Sequence, residues 1–599
     1  RERERMVGLP YDCLGNPLGA VRLTFEKAAA ASPGFDPAAF DRRDWGALDL
    51  FRTFLFDDGG LSLVPVLDLH NLHLIHPNSL VRFRGMVQDM LGNELYIGAF
   101  KDGSTWRTNK FTDVASVPIA PTSQTRLWER RLLYCVPVPG QNTWTLESFS
   151  SQNSVNISND CSLQHGEKRR RDEGNDSMDC NDLEHVGRHS PSRTKKQKEG
   201  DLSFKSMLEM TIQDLDAKSS TLPLEMNSLS CLVKMYNLPE NNIKLNDVVE
   251  FIGVYTFDPD LAVHDDDNDD LSNDLMEDAL AHLPPSKVPR LHCLICKKLT
   301  LLDFVPRSCF SERLPNMVRG VRESLLGHLT AILGNDGLAA QFILLHLLSR
   351  VRARVDVVVV GKLSMNLIGF TRGSATIFGK ELTRSMKDLL PFSQDIPLSV
   401  DYLNTAKIQP RKDNNTGRMM TGILQLAQGT HLTIDETFLD SGTLNSRGVE
   451  NARLLRELME WQTVGYDCEY YKLEMAADVQ VLILSERKSN ILPADLVLPF
   501  HPIVTNADVH PTDEELQSWR WYLATLRSLS HSIEPQMHKV LEDDFVAARQ
   551  EDKNLKGEDL SRWLTMGQLM SASFGETGLS LQHWQMVKEL ERLRKERLK

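Results

Sequence analysis

Two stretches of the sequence carry residues whose types and spacing would suit the binding and hydrolysis of a nucleotide. In the first, residues 355–361 read VDVVVVG, an apolar run typical of a buried parallel strand, which ends in Gly361 before sequence that could start a helix. A phosphate-binding loop occupies that place, but it needs the pattern G-x-x-x-x-G-K-[ST], whose lysine reaches the β and γ phosphates and whose hydroxyl holds Mg²⁺. Lys362 follows the glycine at once and the pattern is not completed. The stretch therefore raises the question whether a nucleotide site is present or has been lost.

The second stretch is HLTIDET (431–437), an apolar strand that ends in Asp435 and Glu436. In P-loop ATPases an aspartate at this place orders the Mg²⁺ shell, and a glutamate polarises the attacking water. The alternative is a core strand whose last carboxylate caps the next turn, which is the commoner meaning of an isolated motif. A third apolar strand, VQVLILS (479–485), follows. A phosphate loop, an acidic strand and a third strand stand in this order in ATPases with a catalytic glutamate, which favours the nucleotide-site interpretation.

These motifs require a parallel sheet with helices on both faces, and the sequence around them predicts one. Helical periodicity is present in VRESLLGHLTAIL (321–333) and GVENARLLRELMEWQ (448–462). Residues 511–599 are predicted to be helical, beginning with a capping box from Thr512 to Glu515.

A different pattern precedes this region. Several short segments alternate apolar and polar residues, and some contain an internal glycine: VRFRGMV (81–87), ELYIGAF (94–100), RLLYCVPV (131–138) and VEFIGVY (249–255). A glycine inside an alternating strand often marks a bulge or a sharp bend, as small barrels require. The segments therefore predict a small barrel of the OB type.

The sequence accordingly predicts a multidomain protein with a β-barrel part and an α/β part. Residues 145–225 are dominated by Ser, Asn and charged residues and cannot bury enough apolar surface to offset the entropy of ordering, so they are predicted to be a disordered insertion. The predicted regions are a mixed or helical N-terminal region (1–77), an OB-like β domain that contains the insertion (78–260), an acidic linker (261–285), an α/β domain (286–510) and a C-terminal helical lid (511–599).

Composition limits the classes of function. The net charge of −14 disfavours electrostatic binding of nucleic acid by the chain as a whole. Nine cysteines, an odd number, indicate free thiols in a reducing compartment. We expect neither a secretory signal nor a membrane span, because no apolar run is long enough for a span and the N-terminus lacks the apolar core of a signal peptide.

Three charged or cysteine-containing motifs have a functional and a plain interpretation. Two basic clusters in the predicted insertion favour a bipartite nuclear import signal over a solvated loop; their residues are Lys168, Arg169, Arg170, Arg171, Arg193, Lys195, Lys196 and Lys198. HCLIC (292–296) has a C-x-x-C step without a second pair at zinc-ribbon spacing, so structural zinc is not expected. DDDNDD (265–270) begins like an EF-hand, but Asp270 stands at the glycine position, which indicates a solvated linker.

The sequence also resembles the minichromosome maintenance complex-binding protein family, with a plant-like pattern. The segments that carry the resemblance are YDCLGNPLGAVR (11–22), VRFRGMVQDM (81–90), LNDVVEFIGVYTFDP (245–259), VVVVGKLSMNLIG (357–369), GRMMTGILQLAQGTHLTIDET (417–437) and LPADLVLPFHP (492–502). The resemblance implies an OB-like part and a degenerate AAA+-like part, related in architecture to the replicative helicase subunits. It further implies a nuclear, non-enzymatic partner of those subunits that acts in DNA replication, cell division and sister-chromatid cohesion and reaches chromatin indirectly.

Carried over residue by residue, the helicase pattern G-D-P-x-x-x-K-S keeps Gly361 as its first glycine but places Leu367 on the lysine. Asp435 and Glu436 are retained, and Ser485 ends the third strand where the helicases have a polar sensor. SERKSNILPADLVLPF (485–500) lacks the Ser-Arg-Phe stretch that supplies an arginine finger. The resemblance therefore implies remnants of a nucleotide site, with no catalytic residue, no cofactor and no metal.

Two other functions stay open from the sequence. One is an active AAA+ ATPase with an unorthodox phosphate loop. The other is binding of single-stranded DNA by the OB-like domain, for which stacked aromatic residues and a basic groove are needed. Its candidate residues are Arg82, Arg84, Lys101 and Arg107, near Trp106.

Overall fold

The computed structural model describes the larger part of the chain. The described residues are 12–31, 36–41, 43–69, 71–72, 74–114, 118–146, 229–236, 243–257, 283, 288–306, 315–356, 358–503 and 510–599. The two basic clusters and the DDDNDD run lie outside them, as do nearly all of the predicted insertion and of the predicted acidic linker. Within the described residues, no helix combines the length and the apolar character needed to cross a bilayer.

The described strands and helices have the following bounds. The strands are β1 (Leu80–Asp102), β2 (Thr105–Thr108), β3 (Thr125–Val136), β4 (Cys231–Met235), β5 (Val248–Thr256), β6 (Arg290–Lys298), β7 (Ala353–Val355), β8 (Val358–Val360), β9 (Met365–Ile368), β10 (Ser393–Pro397), β11 (Arg411–Lys412), β12 (Met419–Met420), β13 (His431–Asp435), β14 (Thr463–Asp467), β15 (Lys472–Ala476), β16 (Gln480–Ser485) and β17 (Leu496–Pro499). The helices are α1 (Pro17–Ala31), α2 (Ala47–Arg52), α3 (Pro315–Ile332), α4 (Gly337–Leu348), α5 (Arg372–Ser374), α6 (Lys380–Leu389), α7 (Val400–Thr405), α8 (Ser446–Trp461), α9 (Asp513–Ser528), α10 (Pro535–Glu551), α11 (Gly557–Ser573) and α12 (Leu581–Leu598).

The first sheet closes on itself. Its strand order is β2-β1-β3-β4-β6-β5, and β1 also pairs with β5, so that five strands form a ring with β2 outside it. The long strand β1 makes this possible, because its first half pairs with β5 and its second half with β3. Close approach of strands requires glycine: a Cβ on Gly85 would lie 2.8 Å from the carbonyl oxygen of Val136, and one on Gly253 would lie 2.2 Å from that of His292. Helices α1 and α2 pack against the barrel through a separate apolar cluster.

The HCLIC segment is a strand of this sheet. It forms most of β6, which pairs with both β4 and β5, so the first sheet extends past residue 260, where the sequence placed the end of the β domain. Sheet membership does not test where the chain divides into independently folding parts, so the domain limits stay predictions. The part of the chain that the structure describes contains no group of three or more His, Cys, Asp or Glu side chains suited to a metal ion.

The second sheet is parallel and has helices on both faces. Its order is β10-β13-β16-β9-β17, and every neighbouring pair is parallel. Alternate residues of β16 enter opposite cores: Leu482 and Leu484 join the cluster formed with α3, α4 and α9–α12, and Val481 and Ile483 join the cluster formed with α7 and α8. The predicted strands HLTID and VQVLILS, the predicted helices and the capping box at Thr512 are confirmed.

The prediction for VDVVVV is wrong. The segment does not supply a strand of the parallel sheet but forms the hairpin β7–β8, whose two strands are antiparallel and pair only with each other. Val355 and Val358 pair across the hairpin and are 59% and 53% exposed. Valine-rich sequence suits a hairpin strand as well as a buried parallel strand, because both favour β-branched side chains.

Buried side-chain contacts join the barrel to the α/β part within one compact unit. The Gln88 side chain donates to the carbonyl oxygen of Met419 at 2.6 Å, and the Met419 backbone N–H donates to the Asp89 carboxylate at 2.8 Å. Just past the barrel, Trp144 is 7% exposed, and its indole N–H donates to the carbonyl oxygen of Leu390 at 3.1 Å. The guanidinium of Arg520 lies over the same indole, 4.2 Å from the ring centroid.

The last helix closes one edge of the parallel sheet. Arg594 and Arg597 on α12 donate to the carbonyl oxygens of Val497 (3.0 Å) and Pro499 (3.1 Å) in the edge strand β17. Arg597 also holds the carboxylate of Asp336 at 2.7 Å, and that carboxylate is fully buried and caps helix α4.

We expect Arg597→Ala to lower the free energy of unfolding by about 3–5 kcal/mol, because it leaves the buried Asp336 carboxylate without its cation. Equilibrium urea denaturation measures the change. The matched control is Arg592→Ala on the same helix, whose ion pair with Glu589 is about half exposed and is worth less than about 1 kcal/mol. Equal losses for the two variants would contradict the assignment.

A pair of histidines lies buried in the α/β part. His346 on α4 and His431 on β13 face each other with their Nε2 atoms 3.2 Å apart, and Nδ1 of His346 lies 2.7 Å from the carbonyl oxygen of Leu363. Burial lowers the pKa of His346 to about 4, and the positive charge of Arg527 acts in the same direction. Burial, the neighbouring imidazole and Arg527 lower the pKa of His431 as well.

The stability of the fold is therefore expected to fall between pH 6.5 and pH 4. The unfolded chain binds protons on these imidazoles at about pH 6.5 while the folded chain does not, so their contribution is complete above that pH and is lost as the pH falls. A pKa of about 4 for His346 corresponds to about 3 kcal/mol. Urea denaturation across this range measures the slope. His431→Gln, which cannot titrate, should make the slope shallower.

Candidate functional site

The carboxyl ends of the parallel strands meet at one edge of the second sheet, where α/β proteins bind ligands. A chain of hydrogen bonds connects three strands there. The Asn366 amide on β9 donates to the hydroxyl oxygen of Ser485, at the end of β16, at 2.7 Å. The Ser489 backbone N–H donates to the Asn366 side-chain oxygen at 3.1 Å, and the Ser489 hydroxyl donates to the Glu436 carboxylate at 2.6 Å. The predicted residues Glu436 and Ser485 are thus brought together, through two residues that the sequence analysis did not select.

Gly361 and Leu367 do not form the phosphate loop at this edge that the sequence predicted. Leu367 lies inside strand β9, fully buried in the core, and is not on a loop. Gly361 follows the hairpin β7–β8 with a φ of +93°, and a Cβ there would lie 2.6 Å from the carbonyl oxygen of Arg350. Lys362 pairs with Asp495 at 2.6 Å. Leu367 therefore cannot stand at the lysine position of a phosphate loop, because it lies within strand β9.

The loop in the position of a phosphate loop follows β9. It begins at Gly369, whose φ is +95°, and leads directly into helix α5. Counted from this glycine, the pattern G-x-x-x-x-G-K-[ST] falls on GFTRGSAT (369–376), with Ser374 on the second glycine, Ala375 on the lysine and Thr376 on the hydroxyl. Ala375 is buried, so the group that would meet the β and γ phosphates is replaced by a methyl group that packs in the core.

Four backbone donors of this loop have partners within the chain. The N–H groups of Gly369 and Phe370 donate to the carbonyl oxygens of Glu486 (3.1 Å) and Ser485 (3.0 Å). Those of Thr371 and Ser374 donate to each other's hydroxyl oxygens, at 2.8 and 3.2 Å. Phosphate binding at a strand–helix turn depends on free N–H groups that point at the anion. Here two of these N–H groups are bonded to side-chain hydroxyl oxygens of the loop itself.

Side chains around the loop also close it. Phe370 is fully buried and stacks on Phe500, with ring centroids 4.5 Å apart and planes 16° apart. The Arg372 guanidinium donates to both carboxylate oxygens of Asp440 at 2.8 Å and to the carbonyl oxygen of Thr437 at 3.1 Å. The loop is thereby joined to the turn that follows β13.

The two acidic residues have different environments. Asp435 accepts from the backbone N–H of Thr437 at 2.9 Å and from its hydroxyl at 2.6 Å, so it caps the 3₁₀ turn Glu436–Phe438. This is the plain interpretation considered for the motif. Glu436 is 8% exposed, and burial raises the pKa of its carboxyl group, an effect that the hydrogen bond from Ser489 partly offsets. A buried carboxyl that accepts a hydrogen bond from Ser489 can organise this edge of the sheet.

The sequence contained a signal for the corrected loop. The spacing from Gly369 to Thr376 keeps the first glycine and the last hydroxyl of the phosphate-loop pattern. The strand before it, MNLI (365–368), was overlooked because Asn366 interrupts its apolar run. Asn366 is 1% exposed and is the residue that bonds to Ser485 and Ser489.

The candidate single-strand DNA residues of the barrel do not form one exposed face. Arg82 and Arg84 are largely buried and both donate to the carboxylate of Glu250, at 2.9 and 2.7 Å. Arg107 lies on β2, beside the far end of β1, and pairs with Asp102 at 2.8 Å. The basic groove expected for a stacking platform is therefore not assembled from these residues.

Comparisons with known proteins give matches along almost the whole chain. A family model described as mini-chromosome maintenance replisome factor matches residues 51–598. A protein of Arabidopsis thaliana named mini-chromosome maintenance complex-binding protein is 53% identical over 99% of this chain and 100% of its own length. Proteins of the same name from Salmo salar and Homo sapiens are 34% and 32% identical, each over 98% of this chain and over 97% and 98% of their own lengths.

Proposed function

The chain belongs to the mini-chromosome maintenance replisome factor family, and on this basis we propose that it is a non-catalytic binding partner of the mini-chromosome maintenance helicase complex. The observation that carries the proposal is the end-to-end similarity, at 53% identity, to a protein whose name states binding to that complex. The proposed setting is the nucleus, in DNA replication, in assembly of the helicase or its unloading from chromatin, and in sister-chromatid cohesion. Chromatin is then reached through the helicase.

We further propose that the second sheet and its helices are a degenerate AAA+-like domain. Support comes from the chain order of the strands: β9 precedes the loop at Gly369, β13 ends in the acidic pair Asp435–Glu436, and β16 ends in the polar Ser485 between them in the sheet. The closed ring of five strands likewise supports an OB-like origin for the first sheet.

The absence of catalysis is part of the proposal and rests on the geometry of the loop. Ala375 supplies no charge to balance a triphosphate, an interaction worth several kcal/mol in a dry site. The donors of Thr371 and Ser374 are saturated within the chain. A protein of this form can present the surface of an ATPase module to a helicase subunit without a nucleotide cycle of its own.

The test is direct association with the purified complex. Full-length chain, immobilised through a terminal tag, is expected to retain recombinant mini-chromosome maintenance subunits through washes of raised ionic strength. The same matrix without immobilised chain serves as the control for retention by the matrix. Failure of the intact chain to retain any subunit would contradict the proposal.

A further inference from the structure

The hairpin β14–β15 exposes aromatic side chains at its tip. Tyr470 and Tyr471 are 87% and 61% exposed, and Leu473 beside them is 39% exposed. Tyrosine pairs with a large apolar surface and one polar end are characteristic of binding hot spots rather than of solvent-facing turns. The tip is therefore a candidate contact surface.

The tip is held in one conformation by its own hydrogen bonds. The Tyr470 N–H donates to the carbonyl oxygen of Cys468 at 2.7 Å, and the Cys468 N–H donates to that of Tyr471 at 3.0 Å. The Glu469 N–H donates to the Asp467 carboxylate at 2.9 Å, and Glu469 itself has a φ of +62°. A preformed turn loses little conformational entropy when it binds.

The base of the hairpin is anchored to both parts of the molecule. Tyr466 is fully buried, and its hydroxyl accepts from the Asn246 amide, in the turn before β5, at 2.7 Å. The Gln409 amide donates to the carbonyl oxygen of Gly465 at 3.0 Å. The two tyrosines are thus carried by a hairpin whose base is bonded to both parts of the molecule.

The charges of the hairpin favour a basic partner. Residues 463–476 contain three acidic side chains (Asp467, Glu469 and Glu474) and one basic side chain (Lys472), a net charge of 1 − 3 = −2. Lys472 is already paired with Glu450 at 3.0 Å, and Glu469 and Glu474 are exposed. A surface that stacks on nucleic-acid bases needs basic residues for the phosphates, so this composition disfavours nucleic acid.

We propose that the hairpin tip docks into a basic, nucleic-acid-binding groove on a helicase subunit, an inference that rests on the proposed function. A helicase must carry such a groove to bind its strand electrostatically. Tyr470 and Tyr471 offer ring faces to lysine and arginine side chains of that groove, and Glu469 and Glu474 offer the ion pairs. The hairpin then occupies the groove in which nucleic acid would bind, so this protein and the nucleic-acid strand compete for the same subunit.

The experiment measures the dissociation constant of the full-length chain and the purified mini-chromosome maintenance complex, with and without an oligothymidine. Tyr470→Ala combined with Tyr471→Ala is expected to weaken binding about tenfold or more, and Glu469→Lys combined with Glu474→Lys to weaken it and reduce its salt dependence. The matched control is Leu95→Ala with Leu127→Ala, exposed apolar residues on barrel strands, which should bind as the unmodified chain does. The oligothymidine is expected to displace the chain.

Each other outcome has one meaning. If the unmodified chain does not bind the complex, the proposed function fails. If it binds and the tyrosine variant binds equally well, the proposed function stands and this inference is overturned. Binding that resists the oligothymidine would place the hairpin outside the nucleic-acid groove. Direct binding of the oligothymidine to the chain, lost in the tyrosine variant, would identify the tip as a nucleic-acid contact instead.

Discussion

Titration of the full-length chain with Mg²⁺-ATP is expected to give a dissociation constant no tighter than about 1 mM. Three features act together: Ala375 stands where the lysine ammonium would be, the N–H groups of Thr371 and Ser374 are bonded to each other's hydroxyls, and Phe370 is packed on Phe500. Isothermal calorimetry measures the constant. A micromolar dissociation constant would contradict the interpretation that this loop cannot bind a triphosphate.

A designed variant tests the same explanation by a gain of Mg²⁺-ATP binding. Ser374→Gly combined with Ala375→Lys restores the pattern G-x-x-x-x-G-K-T from Gly369 to Thr376 and removes one of the hydroxyls that saturate the loop. We expect it to bind Mg²⁺-ATP about ten to a hundred times more tightly than the unmodified chain, the worth of one or two charge-assisted hydrogen bonds. Ser374→Gly alone is the control and should show no comparable gain. Circular dichroism is used to check that both variants fold.

Glu436→Gln gives an independent reading of the same site. In an active ATPase this change blocks hydrolysis and traps the nucleotide-bound state. Here the Glu436 carboxylate accepts a hydrogen bond from the Ser489 hydroxyl, which an amide oxygen can also accept. Association with the helicase complex is therefore expected to be unchanged, and a large change in its lifetime would show that the acidic strand still acts on a nucleotide.

The second large effect is expected at the junction of the barrel and the α/β part. Trp144→Ala removes a buried indole, its hydrogen bond to the carbonyl oxygen of Leu390 and its contact with Arg520. We expect a loss of about 3–5 kcal/mol in the free energy of unfolding, the usual cost of deleting a buried tryptophan. Because the contact joins two parts of the molecule, we also expect unfolding to separate into two transitions.

Differential scanning calorimetry and urea denaturation distinguish these effects. The matched control is Trp461→Ala, because Trp461 is 46% exposed and its removal should cost less than about 1 kcal/mol. If both variants unfold at the same temperature in one transition, Trp144 does not couple the two parts.

The sequence predicted those elements whose signal is local. The strand HLTID and the helix Ser446–Trp461 followed from apolar periodicity over a few residues, and the capping box from the spacing of Thr512 and Glu515. The same kind of local signal located two of the candidate residues, because Glu436 directly follows one apolar strand and Ser485 ends another, whereas the loop was expected earlier in the chain.

The errors arose where tertiary contacts decide. VDVVVV has the composition of a core strand, but it is β9, which contains the polar Asn366, that lies inside the sheet between β16 and β17, since this asparagine finds partners in Ser485 and Ser489. Closure of the barrel by β6 was likewise not readable from HCLIC, because the strands it pairs with begin at Cys231 and Val248, across intervening polar sequence.

The closed ring of five strands also determines the order in which strands can pair while the chain is being synthesised. Strand β1 pairs with β3 soon after both leave the ribosome, but the half of β1 that pairs with β5 must wait until about residue 256, and β6 is complete only at Lys298. At roughly 5–20 residues per second, the interval from the end of β1 to the end of β6 is about 10–40 s. During that interval β1 and β4 present unpaired edges, which other chains can join. Nascent chains of this protein therefore depend on late, long-range pairing, a slow step that favours assistance by chaperones during synthesis.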